Sequence, residues 1–136
     1  MKNILLKSLS LFIIMSFLNF VFSVLILSLT GVSGGNFGMF PFFILIECLI
    51  ISVIGIITVL IFKKHYSSIM RAAVLFEVLY VLVLIISGIN PFLFFFERES
   101  ENLFSFLLYV NSLIAYLIIY LFVTVYPKIM AARSEN

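Results

Sequence analysis

The stretch Phe40–Phe62 reads FPFFILIECLIISVIGIITVLIF, and its one ionisable carboxyl is Glu47. Apolar residues occupy every face of it. It lacks the two-residue alternation of a lipid-facing barrel strand and the polar face of a soluble amphipathic helix. A helix rises 1.5 Å per residue, so roughly 20 apolar residues cross a hydrocarbon layer of about 30 Å. The stretch is therefore predicted to be a membrane-spanning helix.

Working outward, three more stretches qualify: about Ile4–Leu29, Arg71–Ser87 and Phe104–Tyr126. The expected fold is all-α, a single domain over residues 1–136 with four transmembrane helices in an up-down-up-down bundle. Composition agrees. The chain is 65% apolar and 10% charged, against about 45–50% and about 25% in soluble domains. A soluble chain of this size could not bury so much apolar surface.

The connections carry turn chemistry. GVSGGNFG (31–38) is a flexible link, and KKHYSS (63–68) is a short basic turn. In GINP (88–91), Gly88 suits a helix C-cap and Pro91 cannot continue the ladder. Phe92–Phe96 is too short to span; it either extends the third helix past a kink or lies in the interface. Tyr126-Pro127-Lys128 is read as the end of the fourth helix.

Basic residues set the expected orientation. With four crossings, Lys2, Lys7, Lys63, Lys64, Arg71, Lys128 and Arg133 fall on one side. Arg98 stands alone on the other, beside Glu97, Glu99 and Glu101. Both termini and the basic turn are thus expected in the cytoplasm, and the glycine link and FERESEN (96–102) outside. The start of the chain, MKNILLKSLSLFIIMSFLNF, also has the basic head and apolar body of a signal peptide. The apolar run continues to Leu29, longer than such a segment needs, and no A-x-A-like site follows, so a retained span is expected.

Polar residues fall in stripes at helical spacing. Span one carries Ser8, Ser16, Asn19 and Ser23. Span two carries Cys48, Ser52 and Gly55, flanked by Glu47 and Thr58. Span three carries Ala73, Glu77, Tyr80 and Ser87. Span four carries Ser105, Tyr109, Ser112, Tyr116, Tyr120 and Thr124. Small and hydroxyl residues suit close helix packing. The tyrosine ladder could alternatively line a polar cavity, because a buried phenol needs a partner.

Glu47 and Glu77 hold the most chemistry. A carboxylate within the membrane costs a few kcal/mol and normally faces the bundle interior. Counting residues from the span ends sets the two about 10–15 Å apart in depth, which predicts two separate clusters. One would join Glu47 to Asn19 and Tyr109, the other Glu77 to Lys7 and Tyr120. Each acid is either a structural hydrogen-bonding group or part of an ion, proton or ligand site. The candidate ligand set is Glu47, Glu77, Asn19, Tyr80, Tyr109, Tyr116 and Tyr120.

A single cysteine, Cys48, excludes an internal disulfide and any CxxC pair, and a single histidine, His65, excludes a His-rich metal site. No phosphate-binding loop, nucleophile triad or metal cluster is legible. Net charge of +2 is too weak and scattered for nucleic acid. The spacing of Arg98 and Asn102 is similar to part of the RxxxN motif of four-span eicosanoid and glutathione membrane enzymes. Ser105 stands where that motif has an acid and the following Pro is missing, so no kinship is drawn.

The expected protein is non-enzymatic and carries no catalytic residue, metal or cofactor. It lies in a bacterial inner membrane, in contact with the lipid bilayer and with a membrane-protein partner or further copies of itself. Its expected role is accessory, regulatory or immunity-like. The alternative is a small oligomeric transporter or channel using Glu47 and Glu77.

Overall fold

The structure, a computed structural model, describes residues 2–31 and 38–134, and these are helical with short connections. Helix α1 is Lys2–Thr30, α2 Phe40–Ile61, α3 Ile69–Ile86, α4 Leu93–Phe96, α5 Ser100–Tyr120 and α6 Tyr126–Ser134. Four helical segments are long and apolar enough to cross a membrane: Asn3–Thr30, Phe40–Ile61, Ile69–Ile86 and Glu101–Ser134. Most of the link at 31–38 lies outside the described residues.

Each boundary has a local cause. Pro41 sits in the first turn of α2, where its missing N–H deprives the helix of no bond. Helix α3 ends in a Schellman motif. Gly88 takes the left-handed φ of 77° that a side chain would resist. Its N–H donates to the Ile85 carbonyl, and the Ile89 N–H donates to that of Leu84. The expected cap at Gly88 is thus present. The Phe92–Phe96 run does not prolong α3. It forms the single turn α4, where Phe94 stacks on Phe106 of α5 with ring centroids 5.7 Å apart and Phe95 meets the same ring edge-on at 5.5 Å.

The expected helix end at Tyr126-Pro127-Lys128 is corrected. The chain stays helical to Ser134 through a π-helical stretch, Leu121–Val125. A proline inside an α-helix removes one hydrogen bond and clashes with the carbonyl four residues back. Here the wider π turn comes first, with the Tyr126 N–H reaching the Leu121 carbonyl. The ring at Pro127 follows a turn already opened to take it.

In the bundle, α1 packs against α2, α3 and α5, and α3 packs against α2 and α5. The inward face of α2 is Phe40, Ile44, Cys48, Ile51, Gly55 and Val59, spaced by three or four residues as a helix face requires. Gly55 marks the closest approach: a Cβ there would sit 2.8 Å from Phe12 of α1. Phe12 is fully buried, and its ring lies 5.6 Å from that of Phe76 on α3. At one end of the bundle, Phe40 meets Phe104 of α5 edge-on, centroids 5.1 Å apart. The outward faces stay greasy, with Phe43, Val53 and Ile57 of α2 more than half exposed.

Candidate functional site

Several polar residues of the spans, Ser8, Ser16, Asn19, Ser23, Asn111 and Ser112, are buried inside the bundle. Asn19 of α1 and Asn111 of α5 are both fully buried. Asn111 Nδ2 donates to the Asn19 backbone carbonyl at 2.9 Å and to Asn19 Oδ1 at 3.1 Å. Asn19 Nδ2 donates to the Met15 carbonyl at 2.9 Å. One residue further along α5, the buried Ser112 hydroxyl donates to Oε2 of Glu77 on α3. These bonds tie α5 to α1 and to α3 through adjacent side chains.

A second set lies on α2 and its neighbours. Ser16 and Ser52 face each other at 3.4 Å. Both also bond one turn back, Ser16 to the Phe12 carbonyl and Ser52 to that of Cys48, each at 2.7 Å. Such back-bonding satisfies a hydroxyl within its own helix. The Cys48 thiol is fully buried.

Tyr80 of α3 is fully buried, and its hydroxyl donates to the Leu108 carbonyl at 3.4 Å. Tyr109 donates to the Ile89 carbonyl at 2.6 Å, tying α5 to the segment that leaves α3. Two buried oxygens make no hydrogen bond among the described residues, Glu47 Oε1 and Asn111 Oδ1.

The pairing differs from that expected from residue counting. Asn19 pairs with Asn111, rather than with Glu47 and Tyr109. The hydrogen-bond partner of Glu77 is Ser112, rather than Lys7 and Tyr120. The depths counted from the span ends also shift. Helix α3 starts at Ile69 and α5 at Ser100, earlier than the apolar runs suggested. Each residue on them is therefore further from its helix start, by 1.5 Å per added residue.

The buried face of α5 is also rotated from the expected stripe. Its core side is Phe104, Asn111, Ser112, Ala115 and Ile119. The tyrosines lie along its edge: Tyr109 and Tyr116 are half-buried, and Tyr120 is 42% exposed. Ser87 of the expected α3 stripe is exposed, and Leu84 fills the core position near it. Asn111 was missed because the tyrosine spacing drew the stripe one residue away from it. The available signal was that an asparagine amide in a lipid-buried span must find a partner.

Four surface cavities of ≈ 460 to ≈ 530 Å³ open on the flanks of the bundle. Of the candidate residues, Tyr109 alone lines one of these four. The groove between α1 and α5 is lined by apolar side chains including Leu11, Ile14, Leu18, Ile118 and Phe122, with Lys7 beside them. Among the described residues, no group of three or more His, Cys, Asp or Glu side chains could hold a metal. No protein-family model matches this chain, and no curated protein or solved structure is similar to it.

Proposed function

We propose that the chain is a small non-enzymatic, multi-pass protein of a bacterial inner membrane that docks laterally on a partner's membrane helices. Its role is accessory, regulatory or immunity-like. It crosses four times, up-down-up-down, with both termini in the cytoplasm. The orientation rests on the basic residues, which gather at one set of helix ends. The observation that carries the docking role is where the polar groups go. Asn19 meets Asn111 and Glu77 meets Ser112 inside the bundle, while the groove between α1 and α5 presents apolar walls to the side. Polar groups used this way hold helices together. A lateral apolar groove accepts a helix face.

Mild crosslinking in native membranes tests the docking role. A co-purifying membrane protein is expected, and Ile118→Trp, which fills the groove, should release it. Purification of the chain alone counts against the reading. A reporter fused after Asn102 should report outside, and one after Asn136 inside.

One observation favours the second reading, a small oligomeric transporter or channel. Glu47 keeps a buried oxygen without a hydrogen-bond partner among the described residues, and an intramembrane acid by default marks a pathway. On that reading, Glu47→Gln or Glu77→Gln abolishes flux in liposomes while the protein stays folded. Normal behaviour of both variants removes it.

A further inference from the structure

The cavity at the start of α3 joins a guanidinium, Arg71, to an apolar strip. It measures ≈ 520 Å³ and is lined along α3 by Met70, Arg71, Val74, Leu75 and Val78, with His65 and Tyr66 of the preceding turn closing one end. Met70, Val74 and Val78 recur every four residues, so they form one strip along the helix. The strip rises about 12 Å from Met70 to Val78 at 1.5 Å per residue. Val74 and Val78 are 44% and 50% exposed, so the strip lies open to the side.

Arg71 stands at the polar end. Its Nη1 donates to the His65 carbonyl at 3.0 Å, which anchors the side chain over the turn. No carboxylate pairs with it among the described residues. Of the acids outside the spans, Glu97, Glu99 and Glu101 follow α4, and Glu135 lies outside the described residues. Lys63 and Lys64 precede His65 in the same turn. Ser68, at the N-cap of α3, makes no side-chain capping bond, so the positive end of the helix dipole points to the same level.

We infer that this cavity binds one anionic phospholipid, with its phosphate on the Arg71 guanidinium and an acyl chain along Met70, Val74 and Val78. The remaining guanidinium N–H groups match phosphate geometry. The strip continues from the charge into the hydrocarbon layer, as a lipid does. Charge complementarity selects this occupant, because a partner helix of ordinary apolar composition leaves Arg71 without a counter-charge. The inference requires a bilayer around the bundle and is independent of the docking and transport readings.

The test uses the full chain reconstituted in vesicles of phosphatidylglycerol and phosphatidylcholine with matched acyl chains. Bound lipid is counted by native mass spectrometry after mild detergent extraction. One phosphatidylglycerol should be retained in preference to phosphatidylcholine. Arg71→Gln should lower its occupancy about tenfold, the scale of a lost charge-assisted pair. Val78→Trp fills the strip, leaves every charge in place, and should also lower retention. Arg98→Gln, on a charged segment away from the cavity, should leave it unchanged. Burial of the Cys48 thiol against a maleimide reports that each variant is folded. Equal retention of the two lipids overturns the inference, as does full retention in Arg71→Gln or in folded Val78→Trp. Displacement by inorganic phosphate marks a free-anion site and overturns it too, as does a second copy found covering the strip in place of lipid.

Discussion

Asn111 holds Asn19 at two points, bonding its backbone carbonyl and its side-chain oxygen through a single amide nitrogen. The residues are 92 positions apart in sequence and both are fully buried. The pair joins α1 to α5. In a lipid-embedded bundle, where apolar side chains gain little by leaving lipid for protein, such a bond helps to specify which helices associate.

Asn111→Ala is expected to lower stability by about 1–2 kcal/mol, since interhelical hydrogen bonds average about 0.6 and reach about 1.7 kcal/mol and a small cavity adds to the loss. Asn19→Ala should cost a similar amount. A double-mutant cycle, read by denaturant unfolding in micelles, should show the double variant less destabilised than the sum. Additive losses would mean that the two amides do not cooperate.

Gly55→Ala should be poorly tolerated. The added Cβ would meet Phe12 at 2.8 Å, and that ring is hemmed in by Phe76. Overpacking of this kind costs about 1–3 kcal/mol. Combining it with Phe12→Leu should recover part of the loss in the same unfolding measurement. A neutral Gly55→Ala would show that α1 and α2 can part at that point at little cost.

Tyr109→Phe removes the 2.6 Å bond to the Ile89 carbonyl. The expected cost is about 1–1.5 kcal/mol, for a lost hydrogen bond that leaves an acceptor unpaired. Hydrogen exchange should quicken over Ile89–Phe92 more than in the middle of α3. A uniform change along α3 would show that the bond does not hold this segment in particular.

Cys48 is the only cysteine and is fully buried between helices. A maleimide should label it slowly in the folded protein and rapidly after denaturation. Gly55→Ala, two helical turns along the same face, should speed labelling of the folded state. Fast labelling of the wild type would contradict the packing of α2 against α1.

Much of this was legible along the chain. The inward residues Ser16, Asn19 and Ser23 of α1 and Cys48 and Gly55 of α2 follow from periodicity, because their polar or small side chains contrast with lipid-facing Leu, Ile and Phe. On α5 that contrast failed. Polar side chains at Ser105, Tyr109, Asn111, Ser112, Tyr116 and Tyr120 surround much of the helix, so spacing alone allowed two neighbouring faces. Pro127 misled for a related reason: its local rule ends an α-helix, and the rule lapses when the preceding turn has widened.

Sequence alone determined that four stretches form apolar helices, since hydropathy and length act locally and each backbone amide finds its partner within its own segment. Tertiary structure decided which polar groups meet. Asn111 rather than Tyr109 pairs with Asn19, and Ser112 rather than Lys7 or Tyr120 pairs with Glu77. Those choices depend on the relative height and rotation of helices distant in sequence. A shift of one residue turns a helix face by about 100°, and that shift is set by how Phe12, Gly55, Phe40 and Phe104 pack, not by any one segment.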